Sequence, residues 1–371
     1  MAASQTSANT RPELWALGPL PPPVTGMTLL TERILQRLMR AGAVTVFNWS
    51  PGGPQRRFGW RIKRLLRTFG CLISLLKHGP VRAARLYIVA GSKAGLLMTG
   101  LLANAGRLLG YRVYVHHHTY YYLDHYDWRM AWIDRSLGPR GVHVVHCQQM
   151  ADDFRAKYVS QRRFEFVLPS VFALPLREAR HSTPKPFRLG HMGNLSVAKG
   201  LDLVLETMRA LERRGRSVEL RLAGPFQTGE AKRMVQRAIQ ENPGAIDYIG
   251  PVYDEAKDDY FTSIDCFLFP SRSESWGIVL NEAMAAGVPV LACRRGCTST
   301  LVGDGAGVVV DGDKTFVEVA VDRIISWMDN PDQYRAASRA AIQQADCLNK
   351  RGQLELDRFV DSMFAPLSES S

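Results

Sequence analysis

What the 371-residue chain lacks narrows its class before any motif is read. It has no run of 18 apolar residues, so no helical membrane span is expected. Its first ten residues are small and polar, without the basic start and apolar core of a secretory signal. Only six cysteines occur (Cys71, Cys147, Cys266, Cys293, Cys297, Cys347), none in a C-x-x-C pair with zinc-site spacing. They are expected to be free thiols in a reducing, cytoplasmic compartment. There is no internal repeat. The one candidate phosphate loop, GDGAG at 303–307, lacks the Lys and Ser/Thr of a P-loop and reads as a turn. Without a helix-turn-helix, zinc or RNP-type motif, a nucleic-acid partner is not expected, although a basic nucleic-acid-binding protein stays as a rival because of the chain's charge.

Acid is missing locally as well. Residues 33–123 contain no Asp or Glu but 15 Lys and Arg; with the whole chain at +12, the remainder sums to −3. Such asymmetry points one domain at something anionic, such as a phosphorylated acceptor, a membrane leaflet or nucleic acid. In its densest part Arg56, Arg57, Arg61, Lys63, Arg64 and Arg67 interleave with Phe58, Trp60, Leu65, Leu66 and Phe69. These six cations are the candidate acceptor or membrane face, and peripheral attachment to the inner face of a cytoplasmic membrane would follow. The alternative is a helix whose apolar side, Ile62, Leu65, Leu66 and Phe69, packs on a sheet while its charges are merely solvated; both can hold on opposite faces.

A chain of this size exceeds one core, and a two-domain organisation is expected. Short apolar runs alternate with helix-period stretches, the pattern of parallel sheets with crossover helices. Strands are expected near 14–17, 44–48, 86–90, 112–116, 142–145 and 165–168, then near 188–192, 219–223, 246–249, 266–269, 290–292 and 307–310. The expected division is a disordered tail at 1–11, a Rossmann-like N-terminal domain at 12–172 and a Pro-rich hinge at 173–186. A Rossmann-like C-terminal domain at 187–350 follows, and then a helix and tail at 351–371 crossing back to the first domain. The fold class is α/β, two doubly wound domains facing across a cleft, with ligands outside the carboxyl ends of the strands.

The most informative loop follows the strand at 266–269. Pro270 ends that strand, Gly287 takes the C′ position of the next helix, Glu274 precedes the helix and Glu282 lies inside it, eight residues on. At the helix start Gly277, Ile278 and Val279 present backbone N–H groups to an anion such as a diphosphate. Glu282 can accept hydrogen bonds from vicinal ribose hydroxyls, and Glu274 can reach the sugar being transferred. Taken singly, Glu274 would be a cap and Glu282 a surface residue.

The whole string, PSRSESWGIVLNEAMAAGVPV at 270–290, resembles the E-x7-E signature of family 4 of the retaining glycosyltransferases, which have the GT-B architecture. The segment LGHMGNLSVAKGLDLVLE at 189–206 is similar to that family's first C-terminal loop, where an arginine after the glycine and a lysine before the next glycine clamp the donor diphosphate. Gly193 and Lys199 match; Asn194 stands where the arginine would be, which removes one fixed charge, and Arg272 could substitute. In the N-terminal half the loop ending at Gly26 is similar to the family's first loop over the donor phosphate. The strand ending in His116, His117, His118 and Thr119 carries a His-Thr pair resembling its acceptor-side histidine, His118.

The resemblance implies a hexosyl transfer with retention, UDP- or GDP-linked donor as substrate, and no metal or cofactor. Glu274, His118 and Lys199 would be catalytic; Glu282, Lys199, Asn194, Gly193, Trp276, Gly277, Ile278, Val279 and Gly26 would hold the donor. The acceptor is expected to be lipid-linked or otherwise anionic, in surface polysaccharide or glycolipid synthesis. A donor-binding relative with weak or no turnover is the alternative that Asn194 suggests. Metal ligation by the histidines at 116–118 with His125 is not expected, since adjacent strand residues point to opposite faces. His143, His146 and Cys147 read as strand-edge packing, and Asp202 carries no role.

Overall fold

The computed structural model describes residues 13–23, 25–52, 58–80, 84–169, 175–179, 186–253 and 255–366. They divide into two compact units, Met1–Leu168 with Leu354–Ser371, and Pro169–Gln353. Most of the expected hinge, 173–174 and 180–185, lies outside the described residues, as does the expected tail at 1–11.

The first unit is built on one parallel sheet of β1 (Leu14–Gly18), β2 (Val44–Asn48), β3 (Arg85–Val89), β4 (Arg112–His116), β5 (Val142–Val145) and β6 (Arg163–Phe166), in the order β2-β1-β3-β4-β5-β6. Strands β1, β3, β4 and β5 are buried along their whole length, as strands covered on both faces must be, and the edge strands β2 and β6 are partly exposed. Strand β6 begins two residues before its expected position. Val167 and Leu168 are buried and strand-like in composition, but the ladder with β5 ends at Phe166 and only the Val167 amide still donates to the Val145 carbonyl, at 2.9 Å.

The helix Gly26–Ala41 begins in a reciprocal cap. Thr28 N–H donates to Thr25 Oγ1 at 3.2 Å and Thr25 N–H to Thr28 Oγ1 at 2.9 Å, while Leu30, Ile34, Leu35 and Leu38 fill its buried stripe. The helix Phe58–His78 buries Thr68, Cys71 and Leu75. Ile62, Leu65, Leu66 and Phe69 are instead 45, 43, 64 and 43 % exposed, which overturns the alternative that this side packs on a sheet. The helix Pro331–Phe364 ends in the first unit, where Phe359 lies 5.9 Å from Tyr87 and Ser362 Oγ donates to Glu165 at 2.9 Å.

The second unit repeats the plan with β7 (Phe187–Met192), β8 (Val218–Ala223), β9 (Ile246–Gly250), β10 (Cys266–Phe269), β11 (Val290–Cys293) and β12 (Gly307–Val310), all parallel, in the order β12-β11-β10-β7-β8-β9. Its core forms where Leu201, Val204, Leu205, Met208 and Leu211, spaced along one face of the helix Leu201–Arg213, meet Leu189, Leu220 and Leu222 of the sheet together with Phe316, Ile324 and Trp327. Cys71, Cys266, Cys293 and Cys347 are free thiols; the expectation of six holds for those four and not for Cys147 and Cys297. Residues 303–305 form the expected turn, with Gly303 and Gly305 at φ +59° and +84°. No described helix is long and apolar enough to cross a membrane.

Candidate functional site

In the second sheet the strand order reverses between β7 and β10, the place where an open α/β sheet leaves a crevice beyond its carboxyl ends. The loops after these two strands, 193–200 and 270–277, are fastened to each other. Gly200 adopts φ +79°, and a Cβ there would stand 2.2 Å from the Pro270 carbonyl oxygen, so only glycine fits. Arg272 N–H donates to the Ala198 carbonyl at 3.0 Å. This closure brings two predicted residues together: Lys199 Nζ lies 2.8 Å from Glu274 Oε2 and donates to the Ser273 carbonyl at 3.1 Å. Glu274 Oε1 accepts the Ser275 amide at 3.1 Å. Their side chains are 29 and 15 % exposed, an ion pair that a competing anion or hydroxyl can still reach.

The loop ends at Gly277, φ +83°, and the helix Ile278–Ala285 starts there without a side-chain cap. The first amides of a helix have no acceptor within it, so those of Ile278 and Val279, both partly exposed residues, fit an anion. One turn further in, Glu282 is ion-paired through Oε1 with Lys257 of the helix Glu255–Thr262. Its Oε2 is buried and has no hydrogen-bond partner among the described residues, a state that asks for a donor. Gly193, with open space around its α-carbon, and the exposed Asn194 lead out of β7 on the same rim. Trp276 is 3 % exposed, so it offers the site backbone and not an open ring face.

Arg272 does not take over from the missing arginine. Its fork binds both oxygens of Asp202 at 2.7 Å and its Nε binds Asp313 at 2.8 Å; these hydrogen bonds and charges raise its pKa and consume its charge. Asp202 thus has a structural task that its position after Gly200 did not disclose, and no sequence signal pointed to Lys257 or Asp313. The open groove of ≈ 630 Å³ beside the helices Leu201–Arg213 and Gly229–Glu241 shares only Asp202 with this set and is lined by neither Lys199, Glu274 nor Glu282. Glu206, Arg209, Arg237 and Glu241 at its rim pair with one another, which makes it a salt-bridged surface trough.

In the first unit the predicted histidine His118 stands just beyond β4. His116 and His118, two residues apart, share a face, and His146 joins them from the end of β5; one ring nitrogen from each lies within 4.8 Å of the others. This corrects the expectation that these histidines stay apart, and removes His146 from mere edge packing. The alternation argument holds for His117, which points to the other face. There a continuous chain of hydrogen bonds runs from Tyr122 Oη to His117 Nδ1 at 2.6 Å, from His117 Nε2 to His143 Nδ1 at 2.8 Å, and from His143 Nε2 to Asp134 at 3.0 Å. Burial, reinforced for His116, His117 and His118 by neighbouring imidazoles, lowers the pKa of all five histidines, that of His146 to about 4. The first face is therefore a neutral imidazole triad, able to donate or accept a hydrogen bond without carrying charge. His125 is not part of it.

Gly26 is the exposed first residue of the helix that Thr25 caps. Of the six predicted cations, Arg56 and Arg57 lie outside the described residues, as does the side chain of Arg61. Lys63 and Arg67 are exposed, with Arg67 donating to the Ser50 carbonyl. Arg64 turns inward over the Trp60 ring, 5.5 Å from its centroid, and burial lowers its pKa, so it does not belong to the outer face.

Two parallel doubly wound sheets with paired strand-to-helix loops at a switch point define the chain as GT-B in fold class. Residues 176–344 match the family model for glycosyl transferases group 1. The D-inositol 3-phosphate glycosyltransferase of Streptomyces avermitilis is 28 % identical over 223 residues, 55 % of this chain and 48 % of that protein. The lipopolysaccharide core biosynthesis mannosyltransferase LpsB of Rhizobium meliloti is 32 % identical over 190 residues, 48 % of this chain and 51 % of its own. The chain thus spans about half the length of these curated relatives. Among solved structures, Anabaena Alr3699/HepE in complex with UDP superposes with a TM-score of 0.68 over 95 % of this chain and 100 % of that one, at 14 % identity, a likeness of fold.

Proposed function

We propose that the chain is a metal-independent retaining glycosyltransferase, moving a hexose from a UDP- or GDP-linked donor to an anionic or lipid-linked acceptor in surface polysaccharide or glycolipid synthesis. The observation that carries this reading is the Lys199–Glu274 pair, 2.8 Å apart beside the uncapped start of the helix Ile278–Ala285. Lys199 and the helix amides hold the donor diphosphate and stabilise the charge that grows on it as the anomeric C–O bond breaks. Glu274 orients hydroxyls of the transferred sugar, and the unpaired Oε2 of Glu282 accepts from the ribose. The acceptor oxygen attacks from the face the diphosphate leaves, its proton passes to a departing phosphate oxygen, and the configuration is retained. His118 serves the transferred sugar or acceptor as a neutral hydrogen-bonding group. A solved neighbour holding UDP and a relative named for an inositol phosphate support this choice of donor and acceptor.

The test is a thermal-shift panel of UDP, GDP, ADP and their sugars on the wild type and on Glu282→Ala. Ligand at 100 times its Kd adds about 2.7 kcal/mol, a shift of a few degrees. A shift selective for one nucleoside diphosphate and lost in the variant supports the reading; no shift in a folded sample overturns it. A second reading, a donor-binding relative with weak turnover, is favoured by Asn194 and by the commitment of Arg272 to Asp202 and Asp313. It predicts the same shifts without sugar transfer to any acceptor.

A further inference from the structure

The helix Phe58–His78 carries a feature that donor chemistry does not use. At about 100° per residue, Ile62, Leu65, Leu66, Phe69, Ile73 and Leu76 fall on one stripe, and all six are 43–64 % exposed. The opposite side, Thr68, Cys71 and Leu75, is buried. The hydrophobic stripe of an amphipathic helix ordinarily faces the core; here a second one faces water. Scattered exposed apolar residues need no explanation, whereas six in register along about four turns form a continuous band of the kind that marks an interaction surface.

The charge around the band selects the occupant. Lys63 and Lys77 flank it and are exposed, and Arg67 is exposed a turn away. The helix lies inside the 91 residues, 33–123, that carry 15 cations and no carboxylate. A second copy of this chain would set the same cations against each other across an isologous contact, which repels. A bilayer with anionic headgroups accepts both halves of the pattern, its acyl boundary taking the apolar band and its phosphates the flanking cations.

We propose that the outer face of this helix is a docking surface for an anionic lipid bilayer. It lies in the plane of the membrane, with Ile62, Leu66, Phe69 and Ile73 inserted at the headgroup boundary and Lys63 and Lys77 against lipid phosphates. The surface is independent of the donor site, so the two readings fail separately.

The test is co-sedimentation of the full chain with vesicles of phosphatidylcholine alone and of phosphatidylcholine mixed with phosphatidylglycerol. The double variant Leu66→Glu/Ile73→Glu is measured beside it, as is Lys63→Gln/Lys77→Gln; these exposed positions leave the fold intact, which circular dichroism verifies. Binding is expected to the anionic vesicles only and to weaken with salt. The Leu66/Ile73 variant loses it, and each lysine removed weakens it by about fivefold. No binding to anionic vesicles, equal binding to both kinds, or binding unaltered in the Leu66/Ile73 variant would overturn the proposal. A wild-type dimer that the same variant dissolves, without vesicle binding, would assign the face to a second copy.

Discussion

Gly200 lies so close to Pro270 that a Cβ on it would stand 2.2 Å from the proline carbonyl oxygen. This approach locks the loop after β7 to the loop after β10 and sets Lys199 next to Glu274. Gly200→Ala must therefore both strain a left-handed residue and push backbone from backbone. A loss of at least about 2 kcal/mol in denaturant unfolding is expected, together with loss of nucleotide-induced stabilisation. Gly215→Ala is the control: φ is +71° but nothing lies within 4 Å of the added carbon, so strain alone costs about 1 kcal/mol. Equal costs at the two positions would show that the loops part easily.

The pair that this approach assembles separates binding from chemistry. Lys199→Ala is expected to change folding stability by less than about 1 kcal/mol, as partly exposed ion pairs do. It also removes a charge-assisted contact of about 1.5–3 kcal/mol, so the affinity for the nucleoside diphosphate falls roughly ten- to hundredfold. Glu274→Gln frees Lys199 from its carboxylate and is expected to bind nucleotide as well as the wild type or better, while sugar transfer collapses. Calorimetric titration with the nucleotide, set beside turnover of the sugar donor, reads both; unchanged affinity in Lys199→Ala removes that residue from the site.

Glu282 and Lys257 test the ribose contact. Each side chain is mostly buried, 15 and 28 % exposed, and each is the other's ion-pair partner. Removing either strands the other, so Glu282→Ala and Lys257→Met should each destabilise the second unit by about 1–3 kcal/mol. The double variant should cost less than their sum, because neither charge is left behind. Only the variants lacking Glu282 should lose the thermal shift with nucleotide. Loss of that shift in Lys257→Met as well would make Lys257 a ligand contact and not a support.

All twelve strands were legible as short runs rich in apolar or β-branched residues, the inner ones because a strand covered on both faces must be apolar, and β6 slipped only because Val167 and Leu168 are buried without being paired in the ladder. Lys199, Glu274 and Glu282 were legible for a different reason: each stands in a local string, at 189–206 or 270–290, whose residue pattern is read without knowing any distant partner. Lys257, Asp202 and Asp313 were not, since a partner brought from another element leaves no local pattern. That is also why Arg272 looked available when two carboxylates hold it. The histidines misled through counting: alternation separates neighbours, but it also unites His116 with His118, and β5 then delivers His146. On the helix Phe58–His78 composition revealed an amphipathic element and could not say which of two apolar stripes faces inward.

The buried histidines make the first unit sensitive to acid. His116, His117, His118, His143 and His146 all have pKa values lowered by burial, His146 to about 4, against an ordinary value near 6.5. Above about pH 6.5 both folded and unfolded chains hold these rings neutral and stability is complete. As the pH falls from there toward about 4, the unfolded chain binds protons that the folded chain refuses, so stability drops by about 1.4 kcal/mol per pH unit for each ring that stays neutral. Among the described residues the second unit has one such group, His191, lowered to about 4. Urea unfolding at pH 7.5 and pH 5 is therefore expected to show the first unit weakening far more than the second, although Glu165, whose pKa burial raises, offsets a part of the loss there. His146→Asn should flatten that dependence by about one ring's share. Equal stability of the first unit at the two pH values would mean that the imidazoles reach water or a counter-charge in solution, and their use as neutral hydrogen-bonding groups beside the acceptor would have to be given up.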